Sequence, residues 1–359
     1  MYAMDHWQSA LSKGFQDPMA VLDILGLRPE QRLPHATAHA APIDIPPFPF
    51  RVPRGYVARM ERGDPQDPLL RQVLPLAEEH IQSPGYTRDP LNERGALRAP
   101  GVLQKYQGRV LLVTTTACAI HCRYCFRRHF SHGDGHYADN DPHFRAALTH
   151  IRRDNTLREV ILSGGDPLCL VDEKLAALAR GLADIPHVGR LRIHTRLPIV
   201  LPERVDEALL AWLTETVLGR RSKDRKGFPF RSIEHSGDRG LEVVVVVHAN
   251  HPNEIDEAVV KALTRLRRAG VLVLNQSVLL RGVNDNEDSL VRLNERLFTT
   301  GALPYYLHML DPVAGSRHFA VEEERAKMIM AELRARLPGY LVPRRVREVA
   351  GARYKVPID

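Results

Sequence analysis

An α/β fold with a parallel sheet is predicted by three features of the sequence. From residue 109 onward, stretches with strand character alternate with stretches of helical apolar spacing. Several strand stretches are continuous apolar runs, Val243 to Val247 most of all, as expected when both faces of a strand are covered. The distinctive polar groups all fall directly after a strand stretch, at the end where parallel barrels and sheets place their ligands. Six such units, not eight, imply an open segment: a partial (βα)6 TIM-like barrel with an N-terminal helical extension.

In chain order, residues 1–44 form a weakly patterned leader with a short helix over Pro18 to Leu25 and a linker over Pro34 to Pro42. Prolines keep Ile43 to Arg54 extended. Gly55 to Gly63 and Pro68 to Glu79 carry helical spacing, with Asp67 as N-cap and Pro68 at the first helical position. Nothing in these elements signals chemistry, and residues 1–100 are taken as the extension. The barrel, 101–320, has strands expected at Val110 to Thr116, Glu159 to Ser163, Leu191 to Thr195, Glu242 to His248, Val271 to Ser277 and Tyr305 to Leu310. Helices are expected at about 142–153, 171–183, 203–217, 254–269 and 286–299, with a sixth at 321–337 opening the C-terminal region, 321–359. The segment 219–240 joins a helix back to a strand, so it belongs at the end away from the ligands and reads as an exposed, flexible loop.

Composition bounds the class. Apolar residues at 44% and charged residues at 26% suit a globular chain, and no apolar run reaches membrane-spanning length. The N-terminus lacks a signal-peptide pattern, so a cytoplasmic protein is expected. Net charge is +7, but the arginines are spread along the chain and not gathered with aromatics, which argues against a nucleic-acid-binding role.

Three of the four cysteines, Cys118, Cys122 and Cys125, lie within eight residues of one another after the first strand stretch. An odd number disfavours a disulfide staple. Thiolates select zinc, copper(I) or iron–sulfur centres. Structural zinc would need His121 or His129 as a fourth ligand. A packed-core role competes, though Arg123, Arg127 and Arg128 are poor core formers. A four-iron cluster held by three thiolates keeps one iron open to an outside ligand, which suits catalysis better than electron transfer. Cys169, between Leu168 and Leu170, reads as a small core residue.

The three-cysteine spacing resembles the radical S-adenosylmethionine (SAM) superfamily. Arg-Tyr-Cys-Phe-Arg-Arg at 123–128, His-Ala-Asn-His-Pro-Asn-Glu at 248–254, Asn-Gln-Ser-Val-Leu-Leu-Arg-Gly-Val-Asn at 275–284 and the ending from Gly339 to Ile358 narrow the resemblance to the lysine 2,3-aminomutase family. The likeness runs from about residue 45 onward and is strongest to its short bacterial members, which supply (R)-β-lysine for modification of elongation factor P. It implies a barrel of radical SAM type and a [4Fe-4S] cluster on Cys118, Cys122 and Cys125, with SAM on the open iron. It further implies pyridoxal 5'-phosphate (PLP) on Lys355, an otherwise ordinary terminal lysine. Near SAM the resemblance places Tyr124, Ser163, Gly164, Gly165, Asp166, Arg196, His248, Asn250, Gln276 and Ser277. A plain Gly-Asp-Pro turn competes at 164–167, and buried packing roles compete for His248 and Asn250. Tyr124 stands where relatives often have His, and Gly-Ala-Arg-Tyr precedes Lys355 where longer relatives have a glycine-rich run.

For PLP phosphate the resemblance implies Arg109 and Lys105, with solvated rim charges as the alternative. Arg127 matches the clamp for the substrate carboxylate, a bidentate task suited to guanidinium. Asp311 and Glu348 match the pair reading the ε-ammonium of L-lysine, an Asp311–Arg317 ion pair being the plain alternative. Two carboxylates in a buried site select a cationic side chain, because a neutral one leaves them unpaired. The implied reaction is the 1,2-migration of the amino group of L-lysine, through hydrogen abstraction at the β-carbon by a 5'-deoxyadenosyl radical and with SAM regenerated. An electron donor such as flavodoxin or ferredoxin, a functional link to elongation factor P and its lysyl-tRNA-synthetase-like ligase, and a homodimer are the expected partners. Longer relatives carry a C-terminal zinc site whose cysteines this chain lacks. The competing functions are a catabolic lysine 2,3-aminomutase, a glutamate 2,3-aminomutase, an RNA-modifying radical SAM enzyme and a noncatalytic cluster scaffold. Glutamate would need a cation where Asp311 and Glu348 stand.

Overall fold

The computed structural model describes residues 6–28, 48–129, 142–219 and 240–358. The linker expected at Pro34 to Pro42 and most of the segment 219–240 lie outside the described residues. In the N-terminal part, α1 (His6–Ser12) and α2 (Pro18–Leu25) are followed by two single-turn helices, α3 (Arg54–Val57) and α4 (Pro68–Arg71). Asp67 caps α4 by accepting from Leu69 and Leu70 N–H, with Pro68 at its first position as expected. The two longer helices expected here do not form. Gly63, at φ +77°, with Pro65 next but one ends the first run, and Pro75 cannot donate to a continuing helix after α4.

Strands then follow one another across the sheet in chain order: β1 (Leu97–Ala99), β2 (Val102–Leu103), β3 (Arg109–Thr115), β4 (Glu159–Gly164), β5 (Arg190–Thr195), β6 (Glu242–Val247), β7 (Leu272–Val278), β8 (Leu303–His308), β9 (Arg344–Arg347) and β10 (Val356–Pro357). Strands β3 to β9 pair in parallel, while β1, β2 and β10 add antiparallel ends. Ends β1 and β10 are not neighbours in the sheet, so it does not close into a full barrel. The six expected strands are present, and the C-terminal tail adds a seventh parallel one, with His308 opposite Val346.

Crossover helices cover the outer face: α5 (Pro142–Arg153), α6 (Asp172–Ala183), the short α7 (Leu197–Val200), α8 (Glu207–Leu218), α9 (Glu257–Arg268), α10 (Glu287–Thr300) and α11 (Glu323–Arg336). Three begin with the same device. Asp206, Asp256 and Asn286 each accept from the N–H three residues on, at 2.9 Å, a cap worth about 1 kcal/mol. Such caps fix where each loop stops and its helix starts. Leu175, Leu178, Leu209, Leu213, Leu263 and Leu266 then bury against the Val- and Ile-rich strands in one core. Among the described residues no helix is long and apolar enough to cross a membrane.

Candidate active site

The loop after β3 carries Cys118, Cys122 and Cys125 and is knitted to the loop after β4. Gly165 N–H donates to Thr115 C=O and Asp166 N–H to Ala117 C=O, both at 2.7 Å. This approach explains the paired glycines. A Cβ on Gly165 would meet the Ala117 carbonyl oxygen at 2.3 Å, and one on Gly164, at φ +119°, would meet the Thr115 oxygen at 2.6 Å. Asp166 does not present a spare carboxylate to the cavity. It accepts from Thr195 Oγ1 and Arg196 N–H at 2.7 Å, and from Leu168 and Leu197 N–H.

The N-terminal extension, expected to carry no chemistry, supplies much of the frame around this loop. Arg123 N–H donates to Gln72 C=O and His121 N–H to Arg51 C=O, both at 2.9 Å. Buried Glu79 receives both Arg123 and Arg128, which outweigh the burial that would raise its carboxyl and hold it below the usual range. Both guanidinium groups also sit 5.0 Å from the Phe48 ring centre. Behind the loop, Arg196 reaches Cys122 Sγ at 2.6 Å, Gln72 Oε1 at 2.7 Å and Glu254 Oε2 at 2.9 Å.

All three cysteines line one cavity of about 530 Å³. Lys105, Arg109, Tyr124, Arg127, Ser163, Gly164, Gly165, Asp166, Arg196, His248, Gln276, Asp311, Glu348 and Lys355 line it too, so it gathers residues from every parallel strand end. Asn250 and Ser277 sit behind its wall. Asn250 is fully buried, donating to Tyr124 Oη at 2.7 Å and accepting from Val278 N–H, while Ser277 Oγ donates to Ala249 C=O at 2.7 Å. Their polar groups are used in joining the loops after β6 and β7. The Tyr124 hydroxyl is likewise engaged, lying 2.9 Å from His248 Nε2.

Along another part of the cavity wall the charges alternate. Arg127 forks onto Glu93 at 2.7 and 2.9 Å, and Lys105 bridges Glu93 and Glu348 at 2.9 Å each. Lys355 Nζ lies 3.1 Å from Glu348 Oε2 and 3.3 Å from His308 Nε2. Against burial, Arg127 and Lys105 hold the Glu93 carboxyl at about 2, and Lys355 and Lys105 hold Glu348 well below its usual value. Asp311 behaves in the opposite way. Burial, reinforced by Glu348, pushes its carboxyl up to about 7, and its Oδ1 is buried with no hydrogen-bond partner among the described residues. The Asp311–Arg317 pair is not formed. Arg109 stacks over the Tyr106 ring at 5.1 Å.

Glu93, Glu79, Gln72, His194 and His308 are site residues that the sequence did not single out. His308 is the last residue of β8 and His194 the last but one of β5, and this placement at a strand end was the available signal. Glu93 precedes a short helical turn and Glu79 lies within one beside Glu78, places where an acid reads as surface.

The donor set fits an iron–sulfur centre. Among the described residues no three His, Cys, Asp or Glu side chains converge as on a single ion. Three thiols spaced along one loop suit a larger, multi-iron group. Burial raises Cys118 and lifts Cys125 to about 11, so a bound cation is what would make thiolates of them. A parallel partial barrel bearing this loop defines a radical SAM enzyme, and the family model for the Radical SAM superfamily matches residues 112–293. L-lysine 2,3-aminomutase from Escherichia coli (strain K12) is 42% identical over 355 residues, 99% of this chain and 95% of that protein. The enzyme of that name from Clostridium subterminale is 35% identical over 84% of this chain and 67% of its own length. A radical SAM methyltransferase structure from Sphaerobacter thermophilus aligns over 68% of each chain, at 18% identity and a TM-score of 0.45. The chain belongs to the L-lysine 2,3-aminomutase family of radical SAM enzymes.

Proposed function

We propose that this enzyme converts L-lysine to (R)-β-lysine, moving the amino group from C2 to C3 and a hydrogen from C3 to C2. One observation carries the choice of substrate: Asp311 offers a buried oxygen without a partner, beside Glu348, in the cavity that also holds Lys355 and the three thiols. A carboxyl poised near pH 7 in a buried site binds a cation or a proton, and an ε-ammonium supplies that cation.

When bound, the [4Fe-4S] cluster and SAM supply one-electron bond cleavage and hydrogen abstraction, and PLP supplies the π-system across which an amino group migrates. The chain's own residues hold and align. Cys118, Cys122 and Cys125 would hold three irons, and Arg196 donates to Cys122 from behind. Gly164 and Gly165 let backbone approach SAM, with Tyr124, His248 and Gln276 forming the adjoining wall. Lys355 would tether PLP, and Arg109 with Lys105 would face its phosphate. Lys355 must give up a proton to do so; burial and the Lys355 charge both depress His308, which keeps it neutral as an acceptor 3.3 Å away. Arg127 takes the substrate carboxylate, and Asp311 with Glu348 takes the ε-ammonium.

The product is read as serving elongation factor P modification through its lysyl-tRNA-synthetase-like ligase, with flavodoxin or ferredoxin as electron donor. The higher identity to the Escherichia coli relative, 42% against 35% for the clostridial one, supports grouping this chain with that relative. The test is anaerobic reconstitution with iron, sulfide, PLP, SAM and reductant, offering lysine and glutamate in parallel with chiral analysis of products. (R)-β-Lysine from lysine is expected. β-Glutamate, or no β-amino acid, would overturn the proposal.

A further inference from the structure

Glu93 is buried, has its own place fixed by a 2.8 Å bond from its N–H to Asp89 Oδ1, and touches two cations of the cavity. Resting on the reading of the cavity as a lysine and PLP site, we propose that Glu93 is a positioning residue that presents Arg127 to the substrate carboxylate.

The donor count of the guanidinium supports this. Arginine has five N–H donors. Glu93 takes Nε–H at 2.7 Å and one Nη2–H at 2.9 Å, and Ser163 Oγ takes one Nη1–H at 2.9 Å, with Gly164 C=O 3.4 Å from the same nitrogen. One hydrogen then remains on Nη2, while the Nη1 hydrogen turned to Gly164 C=O is held only by the long 3.4 Å contact, so a carboxylate can accept from both terminal nitrogens by displacing that contact. Glu93 and Ser163 grip the group from two sides, so the remaining edge has a fixed direction.

Charge points the same way. Glu93 is a single carboxylate shared by two cations, Arg127 and Lys105, so it fixes both without neutralising both, and a substrate carboxylate can pair with Arg127. A glutamine at 93 cannot reproduce the arrangement. Its amide offers one oxygen and one NH2, so a donor must face either Arg127 or Lys105, both of which are donors only.

The test uses holoenzyme reconstituted with iron, sulfide, PLP and SAM, without reductant so that no turnover occurs. Binding is read from PLP absorbance for lysine and for 1,5-diaminopentane, which is lysine without its carboxylate. In Glu93→Gln the advantage of lysine over the diamine is expected to shrink about tenfold or more, the size of a lost charge-assisted contact. The diamine's own affinity should move less than about twofold, against the same tenfold scale. Glu93→Asp, which keeps charge and both oxygens, should retain more of the advantage than Gln, and it carries the comparison if the Gln protein fails to hold PLP. Equal weakening of both ligands, or an undiminished advantage for lysine, would overturn the role of Glu93. A wild-type protein whose PLP does not respond to lysine would instead overturn the reading of the cavity, and the role of Glu93 with it.

Discussion

Replacing Asp311 by asparagine separates the cation-reading role of this carboxylate from its bulk. In the wild-type cavity the Asp311 carboxyl titrates near 7, raised first by burial and then by Glu348, against the pull of Lys355 and Lys105. The ε-ammonium pairs only with the ionised form, so protonation competes with lysine. With a midpoint near 7, and higher once Lys355 gives up its charge to PLP, the fraction ionised falls about tenfold or more between pH 8 and pH 6, and the apparent affinity falls with it. The sign follows from the raised value: the carboxylate is available above the midpoint and withdrawn below it. The α-amino group of lysine also sheds a proton on joining PLP, but it does so in both proteins and cancels in their ratio. At pH 8, Asp311→Asn should bind lysine roughly 10- to 100-fold more weakly, the range for a lost charge-assisted contact. At pH 6 the gap should have narrowed by about tenfold or more. PLP absorbance titrations of the unreduced holoenzyme at pH 6, 7 and 8 give the ratio directly. A gap that stays constant across that range would refute the assignment of the titration to Asp311.

Other outcomes follow from the same geometry. Borohydride reduction of the PLP-loaded protein, followed by peptide mapping, should place the label on Lys355, and Lys355→Ala should take up none. Serine at Cys118, Cys122 or Cys125 should each abolish the visible absorbance of the reconstituted cluster, whereas Cys169→Ser should leave iron and sulfide content unchanged, since Cys169 packs against the core. Gly165→Ala forces a methyl against the Ala117 carbonyl and the Thr116 backbone. It should cost about 1–3 kcal/mol in a denaturation series, and it should lower cluster occupancy because the strain falls on the cysteine loop.

Much of this was legible in the sequence because strand-end placement is a local property. The three cysteines, Gly164 and Gly165, Arg196, Asp311 and Lys355 each stand at a fixed offset from a recognisable element or motif, and they meet in one cavity. What escaped notice comes from contacts between distant stretches. Glu93 meets Arg127 across 34 residues and Gln72 meets Arg196 across 124, and nothing local to either acceptor points to so distant a partner. Strand β9 was hidden by its own composition, since Arg-Arg-Val-Arg does not look like a parallel strand. It works because only Arg345 and Val346 are buried, Arg345 being neutralised by Glu323. Asn250 and Ser277 show what strand-end placement does not tell: a polar residue after a strand can also serve the packing of its neighbouring loops, as the bonds of both side chains do here.

The most direct trial of the central claim, that the cysteine loop and the lysine-reading end share one reaction space, is isotopic. L-Lysine deuterated at C3 would be turned over by the reconstituted enzyme with unlabelled SAM. The expected result is β-lysine bearing deuterium at C2, with label also recovered at the 5' carbon of SAM. Deuterium lost to water, or retained wholly at C3, would contradict it.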